Sequence, residues 1–221
     1  MKIARLSQLA AIATLLPIVS HAEDDWHTLF NGQDLTGWTS ISDEPGFSVV
    51  DGTIRANASS EKLDHLFYTG DEGEELVRFK NFELELFARS EPNSNSGIFF
   101  HTDKTISNKS RMFLGSGYEV QLNSTEKEKR KTGSLYDVVD LDESVVDETN
   151  WFRVNIVVNG KRIIVKIDGE QVIDYTEPEN PKRSEKRRGR VLSPDGGAIA
   201  LQAHDPDSTF YFKDIRIRRL P

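Results

Sequence analysis

Three consecutive runs set the strongest limit on what this chain can fold into. Phe152 to Val158, Arg162 to Ile167 and Gln171 to Tyr175 alternate apolar with polar residues, and Asn159-Gly160 and Asp168-Gly169 join them. A period of two marks a strand with one buried face, and Asn-Gly or Asp-Gly suits the type I′ turn of a tight antiparallel hairpin. The same signals recur along the chain. Phe47 to Ala56 folds back at Asp51-Gly52, and Phe82, Leu84 and Leu86 alternate with Glu83 and Glu85. Ile98-Phe99-Phe100, Tyr118 to Asn123, Ala198 to Ala203 and Thr209 to Arg218 add further strands. No amphipathic helix of useful length interrupts them. Short strands punctuated by Gly and Asn/Asp turns predict an all-β antiparallel sandwich or barrel.

The segments between these strands are less distinctive. Trp26 to Trp38 reads as an opening segment, with Leu29-Phe30 and Trp38 as apolar anchors. Trp38 and Trp151 are expected in the core, and Glu61 to Glu75 as a loop. Glu126 to Lys131 and Glu177 to Arg190 are dense in charge and read as solvated connections, the second mobile or easily cleaved.

The first residues have the pattern of an export signal. Lys2 and Arg5 precede a mostly apolar stretch, Leu9 to Val19, and Ser20-His21-Ala22 places small residues at the −3 and −1 positions. Cleavage is expected after Ala22, leaving residues 23–221 as one periplasmic or secreted domain. The apolar stretch is too short and interrupted for stable membrane insertion. Loss of the leader moves the formal net charge from −8 to −10, which argues against nucleic acid as a partner. The chain has no cysteine, so thiolate metal sites and Cys nucleophiles are excluded, and stability must come from a packed core.

The usual hydrolytic signatures are missing: no G-x-S-x-G elbow, no H-E-x-x-H helix and no P-loop. Chemistry must be assembled across strands. In Tyr118 to Asn123 the odd-numbered positions Glu119, Gln121 and Asn123 share one face. Asn95 to His101 and Leu201 to Asp205 end in polar groups too, and Thr132 to Tyr136 is a Gly-containing turn ending in an aromatic ring. Carboxylate, amides and an aromatic together suit a carbohydrate, whose hydroxyls need hydrogen bonds and whose ring has an apolar face. The plainer alternatives are a solvated strand face for Glu119 and Gln121, and structural roles for the histidines and Tyr136. Asn95 and Gly97 suit turn chemistry, and Arg111 and Lys131 could hold an anion.

Several segments resemble one family in order. They are Leu29 to Trp38, Asn95 to Phe99, Tyr118 to Gln121, Thr132 to Tyr136, Leu201 to His204 and Phe212 to Arg218. The chain resembles the 3-keto-disaccharide hydrolase family from about Trp26 to Pro221. That resemblance implies a concanavalin A-like jelly roll of two sheets and a 3-keto-glycoside substrate. A C3 ketone acidifies the C2 proton, so one base can start β-elimination of the C1 substituent, followed by hydration. No pair of glycosidase carboxylates is needed. In this reading Glu119, His101 and His204 are catalytic, and Gln121, Asn123, Tyr136, Gln202 and Asn95 bind substrate. A divalent metal could hold the enediolate oxygen, with no particular ion indicated. The alternative is a non-catalytic carbohydrate-binding module on the same sandwich.

Overall fold

The computed structural model describes residues 25–71, 73 and 75–221. The expected leader lies outside the described residues. Among the described residues, fifteen strands and one short 3₁₀ turn carry the fold: β1 His27–Thr28, β2 Trp38–Ser40, β3 Phe47–Val50, β4 Thr53–Ala56, β5 Asp64–Tyr68, β6 Phe82–Ser90, β7 Asn95–Thr102 and β8 Ile106–Asn108. They continue with β9 Phe113–Leu114, β10 Tyr118–Asn123, β11 Phe152–Asn159, β12 Arg162–Ile167, β13 Glu170–Thr176, β14 Ala198–Ala203 and β15 Phe210–Arg219. The 3₁₀ turn spans Glu185–Arg187.

Two antiparallel sheets face each other. The larger has the order β13-β12-β11-β6-β15-β4-β3, with β1 added at β15, and the smaller has the order β10-β7-β14-β5-β2. The alternation read from the sequence sets the layers. Leu84, Leu86, Val154, Ile156, Val165 and Ile217 of the larger sheet meet Ile98, Phe100, Val120, Leu122, Leu66 and Leu201 of the smaller in one buried core. Glu83 and Glu85 point out of the larger sheet, where Arg218 and Arg216 pair with them. This is the two-sheet antiparallel β-sandwich expected.

The smaller sheet also buries part of its other face. Phe67, Phe99, Leu114, Ala198 and Ala200 form a second apolar cluster there, with Ile106 of the β8–β9 hairpin against it. That double burial explains a missed strand. All five residues of β5 are buried, so Asp64 to Tyr68 shows no alternation where a loop was expected.

Three local expectations change as well. Trp151 is 36% exposed and lies under the Lys213 ammonium, 4.4 Å from the ring centre, outside the core. Asp51-Gly52 and Asp168-Gly169 have positive φ at both residues, as a type I′ turn requires, whereas in the β11–β12 turn only Gly160 does. Residues 95–97 belong to β7 and are not a turn.

Candidate functional site

The site is built on the outer face of the smaller sheet. Strand β10 pairs with β7, setting Glu119 opposite Phe99, Gln121 opposite Gly97 and Asn123 opposite Asn95. Tyr118, Val120 and Leu122 enter the core, which forces Glu119, Gln121 and Asn123 onto the other face. The Glu119 side chain lies over Gly97. A Cβ there would stand 2.7 Å from Glu119 Oε1, so only glycine leaves the carboxylate its place. Gln121 Nε2 donates to Asn95 Oδ1 at 2.7 Å, joining two strands across the floor. Gln202 of β14 and His204 just past its end point the same way.

Two connections close over this floor. The turn at Thr132 to Tyr136 runs along the free edge of β10: Gly133 N donates to Gln121 O, Gln121 N to Ser134 O, and Tyr136 N to Glu119 O at 3.0 Å. The Tyr136 hydroxyl then donates to Glu128 Oε2 at 3.2 Å. The second connection is the basic segment after β13. Arg183 donates to the hydroxyls of Tyr118 and Tyr175, Arg187 Nε to Asp137 Oδ2 at 2.6 Å, and Arg190 Nη2 to Glu119 Oε2 at 3.0 Å. Gly189 lets it dock: a Cβ there would fall 1.8 Å from the Gly115 carbonyl oxygen. The basic segment is not the solvated connection its charge suggested: three arginines tie it down.

Between floor and roof lies a pocket of about 140 Å³ lined by Asn95, Phe113, Glu119, Gln121, Glu128, Tyr136, Arg187, Gln202 and His204. It is small and polar, sized for one end of a sugar ring rather than a drug-like ligand. Burial pushes the Glu119 carboxyl up, against the pull of Arg190 and Arg187. Oε2 is held by Arg190, while Oε1 accepts no hydrogen bond from the described residues. Glu128 goes the other way. Burial would raise it, but hydrogen bonds from Arg130 and Tyr136 outweigh that and keep it ionised. Burial and the Glu128 charge push the Tyr136 hydroxyl up to about 12. His204 Nδ1 meets Asp205 Oδ2 at 2.6 Å, which orients its ring, and Asp205 stays below the usual carboxylate range despite burial. Beside Gln202, on β5, His65 is fully buried, and neither ring nitrogen has a hydrogen-bond partner among the described residues. Desolvation, with Arg190 nearby, pushes it down to about 3 and keeps it neutral.

A model of the 3-keto-alpha-glucoside-1,2-lyase-like domain matches residues 25–218. The chain belongs to this family. It is 25% identical over 175 residues to a 3-keto-disaccharide hydrolase of Bacteroides thetaiotaomicron, an alignment covering 69% of this chain and 59% of that protein. The chain therefore matches less than two thirds of that relative's length. The fold is shared with a crystal structure of a candidate glycosyl hydrolase from Parabacteroides distasonis, at TM-score 0.71 and 22% identity, covering 89% of this chain and 94% of that one. It is shared too with the lumenal domain of VIP36 bound to Ca²⁺ and Man3GlcNAc, at TM-score 0.58, 12% identity and 89% coverage of each chain. The carbohydrate-binding module CBM66 of Bacillus subtilis matches at TM-score 0.52 and 13% identity, over 82% of this chain and 94% of that one.

Within this family member, six of the eight residues singled out from sequence converge: Glu119, His204, Gln121, Tyr136, Gln202 and Asn95 line the one pocket. His101 does not. A bulge interrupts the β7–β14 register between Ala198 and Ala200, and His101 takes a φ of 52° there. Its ring turns away against Phe82 and Phe100. Nε2 bonds the Lys80 carbonyl at 2.8 Å, and Nδ1 accepts from Ser193 N at 3.1 Å. Asn123 shares the face but is spent on the roof, its Nδ2 donating to the carbonyls of Glu128 and Arg130. Lys131 likewise caps the Thr125 carbonyl, and Arg111 sits in the β8–β9 turn away from the pocket.

Arg187, Arg190, Glu128, Phe113 and His65 were not anticipated. The arginines lie in Lys186-Arg187-Arg188-Gly189-Arg190, where a glycine inside a basic run was the one local sign of close backbone approach. Among the described residues no three His, Asp or Glu side chains gather to hold a metal ion.

Proposed function

We propose that the chain is an exported enzyme that cleaves 3-keto-glycosides by elimination and hydration. The observation that carries this is the buried Glu119, held at Oε2 and bare at Oε1, sharing one small pocket with His204. Membership of the family supports the substrate class, and the leader-like residues 1–22 support export.

The reaction follows from these positions. Glu119 Oε1 takes the C2 proton, and the C2–H electrons pass toward the C3 carbonyl to form an enediolate. When the carbonyl re-forms, C1=C2 forms and the C1–O bond to the leaving group breaks. The leaving oxygen takes a proton from the His204 imidazolium, which Asp205 orients. Water then adds to C1 and gives a proton to His204, while Glu119 returns its proton to C2. The net change is hydrolysis, with both groups reset. A raised carboxyl is the better base, because its driving force for taking a carbon-bound proton is larger. Gln121, Asn95 and Gln202 supply amide donors and acceptors for ring hydroxyls.

Tyr136 fits the binding-module alternative poorly. The guanidinium carbons of Arg130 and Arg187 lie over its ring at 4.5 and 5.1 Å from the centre, so cations already use the surface a sugar would stack on. The two readings separate on incubation with a 3-keto-disaccharide. Release of both sugars with deuterium from D₂O at C2 supports the enzyme, and binding without turnover supports the module.

A further inference from the structure

We infer that Arg187 is the group that holds the enediolate, a role resting on the elimination reading above. Three arginines surround the pocket, and their hydrogen bonds differ. Arg130 is shared among Glu128, Asp137 and Asp140. Arg190 is 3% exposed and gives one terminal nitrogen to Glu119 and the other to the Gly117 carbonyl. Arg187 is anchored through its inner nitrogen, Nε to Asp137 Oδ2, and among the described residues its two terminal NH₂ groups, unlike those of Arg130 and Arg190, have no acceptor. It is 20% exposed at the side chain and lines the pocket with Glu119.

The chemistry matches that geometry. Deprotonation at C2 places negative charge on O3, beside the coplanar O2. Two adjacent oxygens in one plane are what a guanidinium fork with both terminal groups free can bind together, whereas an ammonium would meet them as a point charge. The cation is fixed before the reaction: Asp137 holds Nε, and the rings of Phe113 and Tyr136 lie 5.9 and 5.1 Å from its central carbon. A preorganised donor aimed at developing charge contributes mainly to the chemical step, not to ground-state binding.

The test uses 3-keto-1,5-anhydroglucitol, which has a C2 proton but no leaving group, so C2–H exchange into D₂O reports deprotonation alone. For Arg187→Gln the maximal exchange rate should fall about 100- to 1,000-fold, the range for loss of one oxyanion donor, with the dissociation constant within a few-fold of wild type. Arg187→Lys should recover only part of the rate. Arg187→Gly should regain exchange on addition of guanidinium chloride but not of ammonium chloride. Exchange within three-fold of wild type in Arg187→Gln overturns the assignment. So does a loss expressed wholly as weaker binding, which would mean that Arg187 only braces the roof through Asp137. If Arg187→Gln does not fold, the Lys variant decides, and a wild-type rate there overturns the assignment. Wild-type protein that binds the ketone but exchanges no C2 proton refutes the elimination reading itself, and this role with it. Wild-type exchange with an indifferent Arg187→Gln refutes this role alone.

Discussion

Arg190 reaches from the far end of a basic segment to Glu119, its Nη2 3.0 Å from Oε2, and the two side chains are only 3% and 7% exposed. The contact spans 71 residues of chain and fixes which carboxylate oxygen faces the pocket. A buried pair of this kind contributes little net stability while intact, yet breaking it leaves a charge without a partner. Arg190→Met should therefore lower unfolding free energy by about 3–5 kcal/mol in chemical denaturation at neutral pH. It should also raise the Glu119 carboxyl further, because Arg190 is what pulls it down. The acid limb of the kcat/KM profile, already above the usual glutamate range in wild type, should move to higher pH. An unmoved limb would show that Glu119 is not the titrating base.

Gly97 sets the height of the same carboxylate. Gly97→Ala introduces a methyl carbon 2.7 Å from Oε1, and the side chain must shift. Displacing a reacting group by about an ångström costs on the order of 100-fold in rate, so kcat should drop by about that factor with a modest change in Tm. Full activity in this variant would contradict the placement of Oε1 as the proton acceptor.

His204 and Asp205 should matter in proportion to how poor the leaving group is. With a disaccharide, His204→Ala should lose about 100- to 10,000-fold, the span of general acid catalysis. With a 3-keto-4-nitrophenyl glycoside, whose leaving group needs no proton, the loss should nearly vanish. Equal losses on both substrates would remove His204 from the acid role.

His65 makes the fold acid-sensitive. Its folded value is about 3, well below the ordinary 6.5, so the unfolded chain binds the extra proton first. The neutral ring costs nothing above pH 6.5. Below it, stability declines as pH falls toward 3, by about 2 kcal/mol at pH 5. His65→Leu should flatten this decline in urea titrations between pH 7 and 5. A slope identical to wild type would place the acid sensitivity elsewhere.

The floor of the site was legible and the roof was not. The parity of Tyr118 to Asn123 put Glu119 and Gln121 on one face, because a strand with one side in the core leaves its alternate residues no choice. Gln202 on β14 and His204 just past its end followed from the same parity. His101 broke it, since a bulge is a one-residue irregularity that alternation does not report. Arg187 and Arg190 read as solvent charge because their carboxylate partners lie 50 and 71 residues away, and no local pattern encodes such pairings. Trp151 looked like core by residue type alone, yet it stands beside Lys213 on the outer surface.

In the proposed reaction Glu119 removes the C2 proton of a 3-keto-glycoside. Glu119→Gln keeps the side chain's shape and a contact to Arg190 but cannot act as a base. The decisive measurement compares this variant with wild type on a 3-keto-disaccharide in D₂O, following sugar release together with deuterium at C2. Cleavage with C2 labelling in wild type, and loss of both by at least 1,000-fold in a folded Glu119→Gln that still binds substrate, is the predicted result. Cleavage by wild type without C2 deuterium, or undiminished turnover in Glu119→Gln, would contradict it.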